Sequence, residues 1–243
     1  FHLGLVFKDS DALVDKLKLI MRFGWVGVDL FFVLSGFLIT TILLENKKAN
    51  SGLLKFYKRR ALRIFPLYYI VLISIFVLAP ITEIGSDQSF RQYISEGMLW
   101  YFTYSQNIFY SIKGSWPKVE ILNHFWSLAI EEQFYLFWPF IVCFVSQRNI
   151  YKFLLLALAG TVVFRCFLYY NGTPEIFLYI NTFCRIDTIL MGAILAYFAD
   201  SEYSYLARKY VTIKLFLGLT IATLFCLYFY GAAFKYTIGF SLV

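Results

Sequence analysis

Apolar residues in this chain come in continuous runs rather than in alternation. Residues 24–44 read GWVGVDLFFVLSGFLITTILL, with Asp29 the only charge among them. Some twenty apolar residues in a row are enough to cross a bilayer as a helix. Similar runs occupy residues 64–82, 125–146, 153–170, 176–199 and 215–234, and the chain opens in the tail of another that ends near residue 7. Strands that span membranes alternate inward and outward at every second residue, and these runs do not. The pattern therefore predicts an all-α, polytopic transmembrane helix bundle of about 7–8 helices. One stretch is ambiguous. Residues 98–112 are aromatic and short, with Ser105, Gln106 and Asn107 in the middle.

The polar segments orient the spans. Residues 45–63 form a basic loop in which Lys47, Lys48, Lys55, Lys58, Arg59, Arg60 and Arg63 face only one acid, Glu45. Such loops stay in the cytoplasm. The helix at 64–82, with Pro66 in its first turn, then runs outward. If 98–112 does not cross, Arg148 and Lys152, and later Arg208, Lys209 and Lys214, also fall inside. If it crosses, the rule is broken twice, so 98–112 is expected to be re-entrant or interfacial.

Composition agrees with a bilayer as the main partner. The 243 residues are 60% hydrophobic, 21% aromatic and only 15% charged, with mean hydropathy +0.67. Soluble domains are nearer 45–50% apolar and about 25% charged. The net charge of +7 lies in loops beside the spans, so nucleic acid is not the expected partner. Cys143, Cys166, Cys184 and Cys226 are isolated within apolar segments, with neither metal-ligand spacing nor a disulfide framework. The chain begins at Phe1 within an apolar stretch and stops at Val243 just after a span, and it reads as one membrane domain, 1–243, truncated at both ends.

Charges inside spans are the candidate chemistry. A carboxylate at mid-helix costs roughly 2.5 to 3.5 kcal/mol on insertion scales, so it is usually paired or functional. His2, near the outer end of the first helix, is a candidate general base or a polar residue at the interface. Asp29, Phe32 and Gly36 share one helical face, and Ser35-Gly36 permits close approach of another helix. Asp29 could equally pair with Arg185. Arg60 and Arg63, three apart, suit phosphate binding, although contact with lipid head groups explains them as well. Glu131 shares a face with His124 and Ser127 and suits either an acceptor hydroxyl or a buried ion pair. Arg185 and Asp187 point apart, so each needs a partner on another helix. Arg165 is expected near a helix end with its head group snorkelling. No HExxH or similar spacing exists, so no metal site is expected.

Four strings in order, GWVGVDLFFVLSGFLIT, FYKRRALRIFPLYY, NHFWSLAIEEQFYLFWP and RIDTILMGAILAYF, resemble the acyltransferase 3 family of integral-membrane acyltransferases. The resemblance spans nearly the whole chain. It implies about ten helices in the complete domain and transfer of an acyl group, often acetyl, from cytoplasmic acyl-CoA to a hydroxyl. The implied acceptor is a carbohydrate of the cell envelope or a secreted metabolite, and the implied location is the bacterial inner (plasma) membrane. His2 falls at the family's first-helix histidine, its catalytic base, with Asp29 or Glu131 orienting it or holding the acceptor. Phe31, Phe32, Ser35 and Gly36 match the FFxxSG motif, and Arg60 and Arg63 match the RxxR motif linked to the CoA donor. Glu131 matches the glutamate of the SLxxE segment, beside Trp126. Arg185 and Asp187 join the substrate-binding or structural set. The family's usual basic residue about ten positions before the histidine would precede Phe1. A transporter or flippase for a lipid-linked sugar would use intramembrane charges equally well.

Overall fold

The computed structural model describes residues 24–49, 52–81, 88–117 and 122–200, and among these all regular structure is helical. Helix α1 is Gly24–Lys48 and α2 is Leu53–Ile73, prolonged by a π turn (Ser74–Leu78) and a 3-10 turn (Ala79–Ile81). Then come α3 (Gln88–Phe102), α4 (Gln106–Lys113), α5 (Phe125–Phe144), α6 (Gln147–Tyr170), α7 (Glu175–Ile180) and α8 (Thr182–Asp200). Four described stretches are long and apolar enough to cross a membrane: Gly27–Lys48, Leu53–Leu78, Asn149–Tyr170 and Glu175–Asp200. This is a multi-pass helical membrane protein. His2, the helix tail near residue 7 and the run at 215–234 lie outside the described residues.

Helices α1 and α8 form the tightest pair. They run parallel, since Asp29 near one end of α1 meets Arg185 near the start of α8, while Lys48 meets Asp200 at 2.5 Å at the other ends. Two glycines let the backbones touch. A Cβ added at Gly36 would lie 2.0 Å from the Ile189 carbonyl oxygen, and one at Gly192 would lie 2.0 Å from that of Val33. Small residues serve this purpose in membranes, where close packing replaces the hydrophobic effect as the force between helices. Helix α5 buries one face, with Ala129, Ile130, Phe134 and Trp138 inside, and exposes Leu136, Phe137, Phe140 and Phe144 on the other. At 20 residues it is about 30 Å long, but Glu131, Glu132 and Gln133 make it the most polar of the long helices at its middle. Helices α2 and α6 turn apolar side chains such as Leu62, Leu67, Ile70, Leu156, Val163 and Phe167 outward, as a lipid-facing surface requires.

Three boundaries differ from expectation. The basic segment 45–63 is mostly helix: α1 reaches Lys48 and α2 begins at Leu53. Leu53, Phe56 and Tyr57 pack inward there while Lys55, Lys58, Arg59 and Arg63 are exposed, which lets helix continue past the apolar run. Pro66 is therefore interior to α2 rather than in its first turn, a position membrane helices tolerate. The run at 176–199 breaks at Asn181. That residue's Oδ1 accepts the Phe183 N–H at 3.0 Å, capping α8 in the manner of an N-terminal asparagine.

The aromatic stretch 98–112 is a hairpin. Helix α4 returns alongside α3, with Lys113 bonded to Glu96 at 2.6 Å and Trp100 stacked on Phe109 at 5.3 Å. Neither arm is long enough to cross a bilayer. The chain reverses at Thr103–Ser105, where Tyr104 takes φ 53°. A tyrosine in the left-handed region is uncommon and must be held by its surroundings. Its ring stacks on Tyr68 at 4.1 Å, and its carbonyl accepts the Gln133 Nε2–H at 2.7 Å. Tyr68 and Tyr69 of α2 donate their hydroxyls to the carbonyls of Tyr101 and Phe102, at 2.7 and 3.2 Å. The hairpin tip is thereby pinned between α2 and α5.

Candidate active site

Glu131 stands where α1, α2 and α5 meet. Its Oε1 accepts hydrogen bonds from the Ser35 hydroxyl at 2.6 Å, from Arg60 Nη2 at 3.1 Å and from the Tyr135 hydroxyl. The Ser35 and Tyr135 hydroxyls also lie against one another, so their two protons serve three contacts among Ser35, Tyr135 and Glu131. Glu131 and Tyr135 are four apart on α5, so the helix itself puts them on one face. The Arg60 guanidinium lies over the Tyr135 ring, 3.7 Å from its centroid, a cation–π contact. Three helices thus aim a carboxylate, two hydroxyls and a guanidinium at one buried point. Charge-assisted hydrogen bonds of this kind are short, and they fix the carboxylate in space.

Arg60 and Arg63 diverge in their surroundings. Arg60 turns inward to the carboxylates, and Arg63, like Arg59, is exposed. Glu132 faces a different side of α5. It lies 4.0 Å from Arg60 Nε and lines a cavity of about 350 Å³ between α2, α5 and the hairpin tip. A second cavity of about 400 Å³ lies across Tyr104 and Gln133, and Phe134, Trp138, Phe153 and Ile186 make it strongly apolar. Gln133 anchors the wall between them. Besides the Tyr104 carbonyl it donates to Asn107 Oδ1 at 2.9 Å and accepts the Thr182 hydroxyl at 2.5 Å, tying α5 to the hairpin and to α8.

Two further ion pairs are wholly buried. Arg185 bonds Asp29, and Arg165 Nη1 bonds Asp187 Oδ2 at 2.8 Å, with 0% exposure at all four side chains. Arg185 also lies between the rings of Phe32 and Tyr179, 5.7 and 5.6 Å away. Phe32 packs edge-on against Trp126 at 5.9 Å, and Trp126 packs against Tyr179 at 4.9 Å. Phe31, next to Phe32, faces outward at 43% exposure. Arg165 does not snorkel. Its head group also donates to the Cys184 carbonyl at 2.6 Å, because α6 packs on α8 and brings the guanidinium to the buried Asp187.

Sequence reasoning missed Tyr135, Gln133, Asn107 and Tyr104 as members of the polar interior. Tyr135 carried a signal, its i+4 spacing from Glu131, and Asn107 carried another as an amide inside an aromatic run. Tyr104 carried none, since its backbone conformation is set by its neighbours. His124, expected on the Glu131 face, is exposed at the start of α5, and its carbonyl accepts the Ser127 hydroxyl at 3.0 Å. His2 lies outside the described residues.

The arrangement is that of a polytopic membrane protein with a buried, carboxylate-centred polar site. Residues 1–243 match the family model described as acyltransferase domain, acyltransferase 3, and the chain belongs to that family. It is 33% identical over 184 residues to the O-acetyltransferase OatA of Staphylococcus aureus, covering 72% of this chain and 30% of that protein. It is 34% identical over 186 residues to the peptidoglycan O-acetyltransferase OatA of Listeria monocytogenes (72% and 29%). Over 187 residues it is 34% identical to the putative peptidoglycan O-acetyltransferase YrhL of Bacillus subtilis (71% and 28%). The chain thus spans about three-tenths of the length of these relatives. No solved structure matches.

Proposed function

We propose that this protein is a membrane O-acyltransferase that moves an acyl group, acetyl by the relatives' names, from acyl-CoA to a hydroxyl of a cell-envelope carbohydrate. The observation that carries the reading, beyond family membership, is the Glu131 node. A buried carboxylate already gathers two hydroxyls and a guanidinium beside a cavity, the chemistry needed to hold an acceptor hydroxyl or orient a base.

In this reading His2 removes the acceptor's proton as the hydroxyl oxygen attacks the acyl carbonyl carbon. The carbon–sulfur bond then breaks, and the proton passes from the imidazolium to the departing thiolate. Base catalysis of this kind contributes about 10²–10⁴ in rate. Glu131 orients the reacting groups. Asp29, engaged by Arg185, supports them by holding α1 against α8. The exposed Arg63 meets the donor's phosphates at the basic end of α2, and Arg60 marks the way inward. The basic ends of α1 and α2 face the cytoplasm of the inner membrane, which places the hairpin α3–α4 as a re-entrant element dipping from the opposite side.

The test compares wild type with His2→Ala, each as the full-length protein at matched expression, in cells fed isotopically labelled acetate. Mass spectrometry of envelope glycans reads the product. An acetylated glycan present in wild type and absent in His2→Ala is expected. Equal acetylation in both removes His2 as the base. No acetylated product from a well-expressed wild type, with sugar crossing the membrane instead, replaces the enzyme with a transporter.

A further inference from the structure

Three buried polar atoms with no hydrogen-bond partner line one cavity. They are Glu132 Oε1, Arg60 Nε and the Tyr104 hydroxyl, and all three residues face the space of about 350 Å³ between α2, α5 and the hairpin tip. Buried polar groups are nearly always hydrogen-bonded, and leaving one unmatched costs about 1–3 kcal/mol. Arg60 Nε and Glu132 Oε1 face each other at 4.0 Å, beyond hydrogen-bond reach, so three such atoms around one hollow point to a ligand that completes them. The set comprises one acceptor, the carboxylate oxygen, and two donors, the guanidinium N–H and the phenol O–H. Its counterpart carries an N–H and a carbonyl together, which is a secondary amide. Thr103, Gln133 and Tyr135 add polar groups to the lining, and the other walls, Tyr57, Ala61, Phe65 and Leu136, are apolar or aromatic and suit the methylenes on either side of an amide.

The cavity's direction narrows the source. Its lining follows α2 from Tyr57 to Phe65, eight residues and about 12 Å of helix, starting within two turns of the basic end. Lys55, Lys58, Arg59 and Arg63 are exposed around that end, where phosphates would be held. A ligand with phosphates at the basic end and an amide-bearing arm reaching inward matches this layout. We infer that the cavity between α2, α5 and the hairpin tip binds the pantetheine arm of the acyl-CoA donor. Glu132 accepts an amide N–H there, and Tyr104 and Arg60 donate to an amide carbonyl. The inference rests on the donor assignment made under Proposed function. It assigns Glu132 and Tyr104 to donor binding and leaves Glu131 to the reacting groups. It also gives the left-handed backbone of Tyr104 a use, since that conformation brings the tip of the hairpin against the cavity.

The experiment measures binding to the full-length protein in detergent, with three probes: CoA, S-acetyl-pantetheine, and adenosine 3′,5′-bisphosphate, which has the phosphates but no arm. The variants are Glu132→Gln and Tyr104→Phe, each checked for a wild-type gel-filtration profile, with Tyr104→Phe as the milder change should the other fold poorly. Glu132→Gln is expected to weaken CoA and S-acetyl-pantetheine about tenfold, and Tyr104→Phe about threefold, with the bisphosphate unchanged. Equal loss for all three probes overturns the inference, because Glu132 would then act by positioning Arg60. Unchanged CoA binding with a raised KM for an N-acetylated sugar acceptor, absent for its de-N-acetylated form, also overturns it and moves the amide to the acceptor. If wild type binds none of the probes, the donor reading itself fails, and this assignment with it.

Discussion

Asp29 of α1 and Arg185 of α8 are joined, 156 residues apart in sequence, with no exposure on either side chain. The pair lies at the start of two parallel helices that also touch through Gly36 and Gly192. The Ser35 hydroxyl that bonds Glu131 stands on α1 between Asp29 and Gly36. Because α8 is tied to α5 in turn through Thr182 and Gln133, fixing α1 against α8 helps to hold Ser35 against Glu131.

Removing one partner of a buried pair strands the other charge, at about 3–5 kcal/mol. Asp29→Ala and Arg185→Ala should each lower the detergent-solubilised melting temperature markedly. The Asp29→Leu, Arg185→Leu double variant should lose less than the sum of the two alanine variants, since it leaves no orphan charge. A double variant that loses the full sum would show that the two charges act independently.

The contact between α1 and α8 has no room for a methyl group. Gly36→Ala and Gly192→Ala should both reduce stability by about 1–3 kcal/mol or more, since the clash is with backbone that cannot swing aside. Gly27→Ala, which meets nothing within 4 Å, is the control and should be neutral or slightly stabilising. Thermal shift of purified protein reads all three.

Glu131→Gln keeps the shape of the node while removing its charge, so it should preserve folding and cut transfer at least about tenfold. Loss of a charge-assisted bond of about 1.5–3 kcal/mol sets that scale. Tyr135→Phe should have a smaller effect, because Ser35 and Arg60 still hold the carboxylate. Labelled-acetate incorporation at matched expression measures both. Wild-type incorporation by Glu131→Gln would place the chemistry elsewhere in the bundle.

Arg165 and Arg59 offer a contrast between two arginines of the same formal charge. Arg165→Ala removes a buried ion-pair partner of Asp187 and should destabilise by about 3–5 kcal/mol. Arg59→Ala, on the exposed side of α2, should stay within about 0.5 kcal/mol. Comparable melting shifts for the two would contradict the burial of Arg165.

Much of this architecture follows from the order of residues along the chain. The apolar runs, longer than any soluble helix needs and lacking period-two alternation, leave only a helical bundle, because a bilayer supplies no water to satisfy exposed backbone. The Lys/Arg excess at 45–63 marks one end of the bundle, and the polar residues Ser105, Gln106 and Asn107 mark the place in 98–112 where the chain turns back on itself. Asp29, Glu131, Arg185 and Asp187 stood out because a charge in an apolar run is costly wherever it ends up. Tertiary structure alone decided the partners. The Asp29–Arg185 pairing, one reading the sequence left open, is fixed there, Arg165 is drawn inward by Asp187, and Tyr104 adopts a left-handed backbone because Tyr68 and Gln133 hold it. Desolvation cost is a property of one residue in its local stretch and can be read in one dimension. Pairing depends on which helix faces which, and that is set by contacts such as Gly36 on Ile189, made between segments more than 150 residues apart.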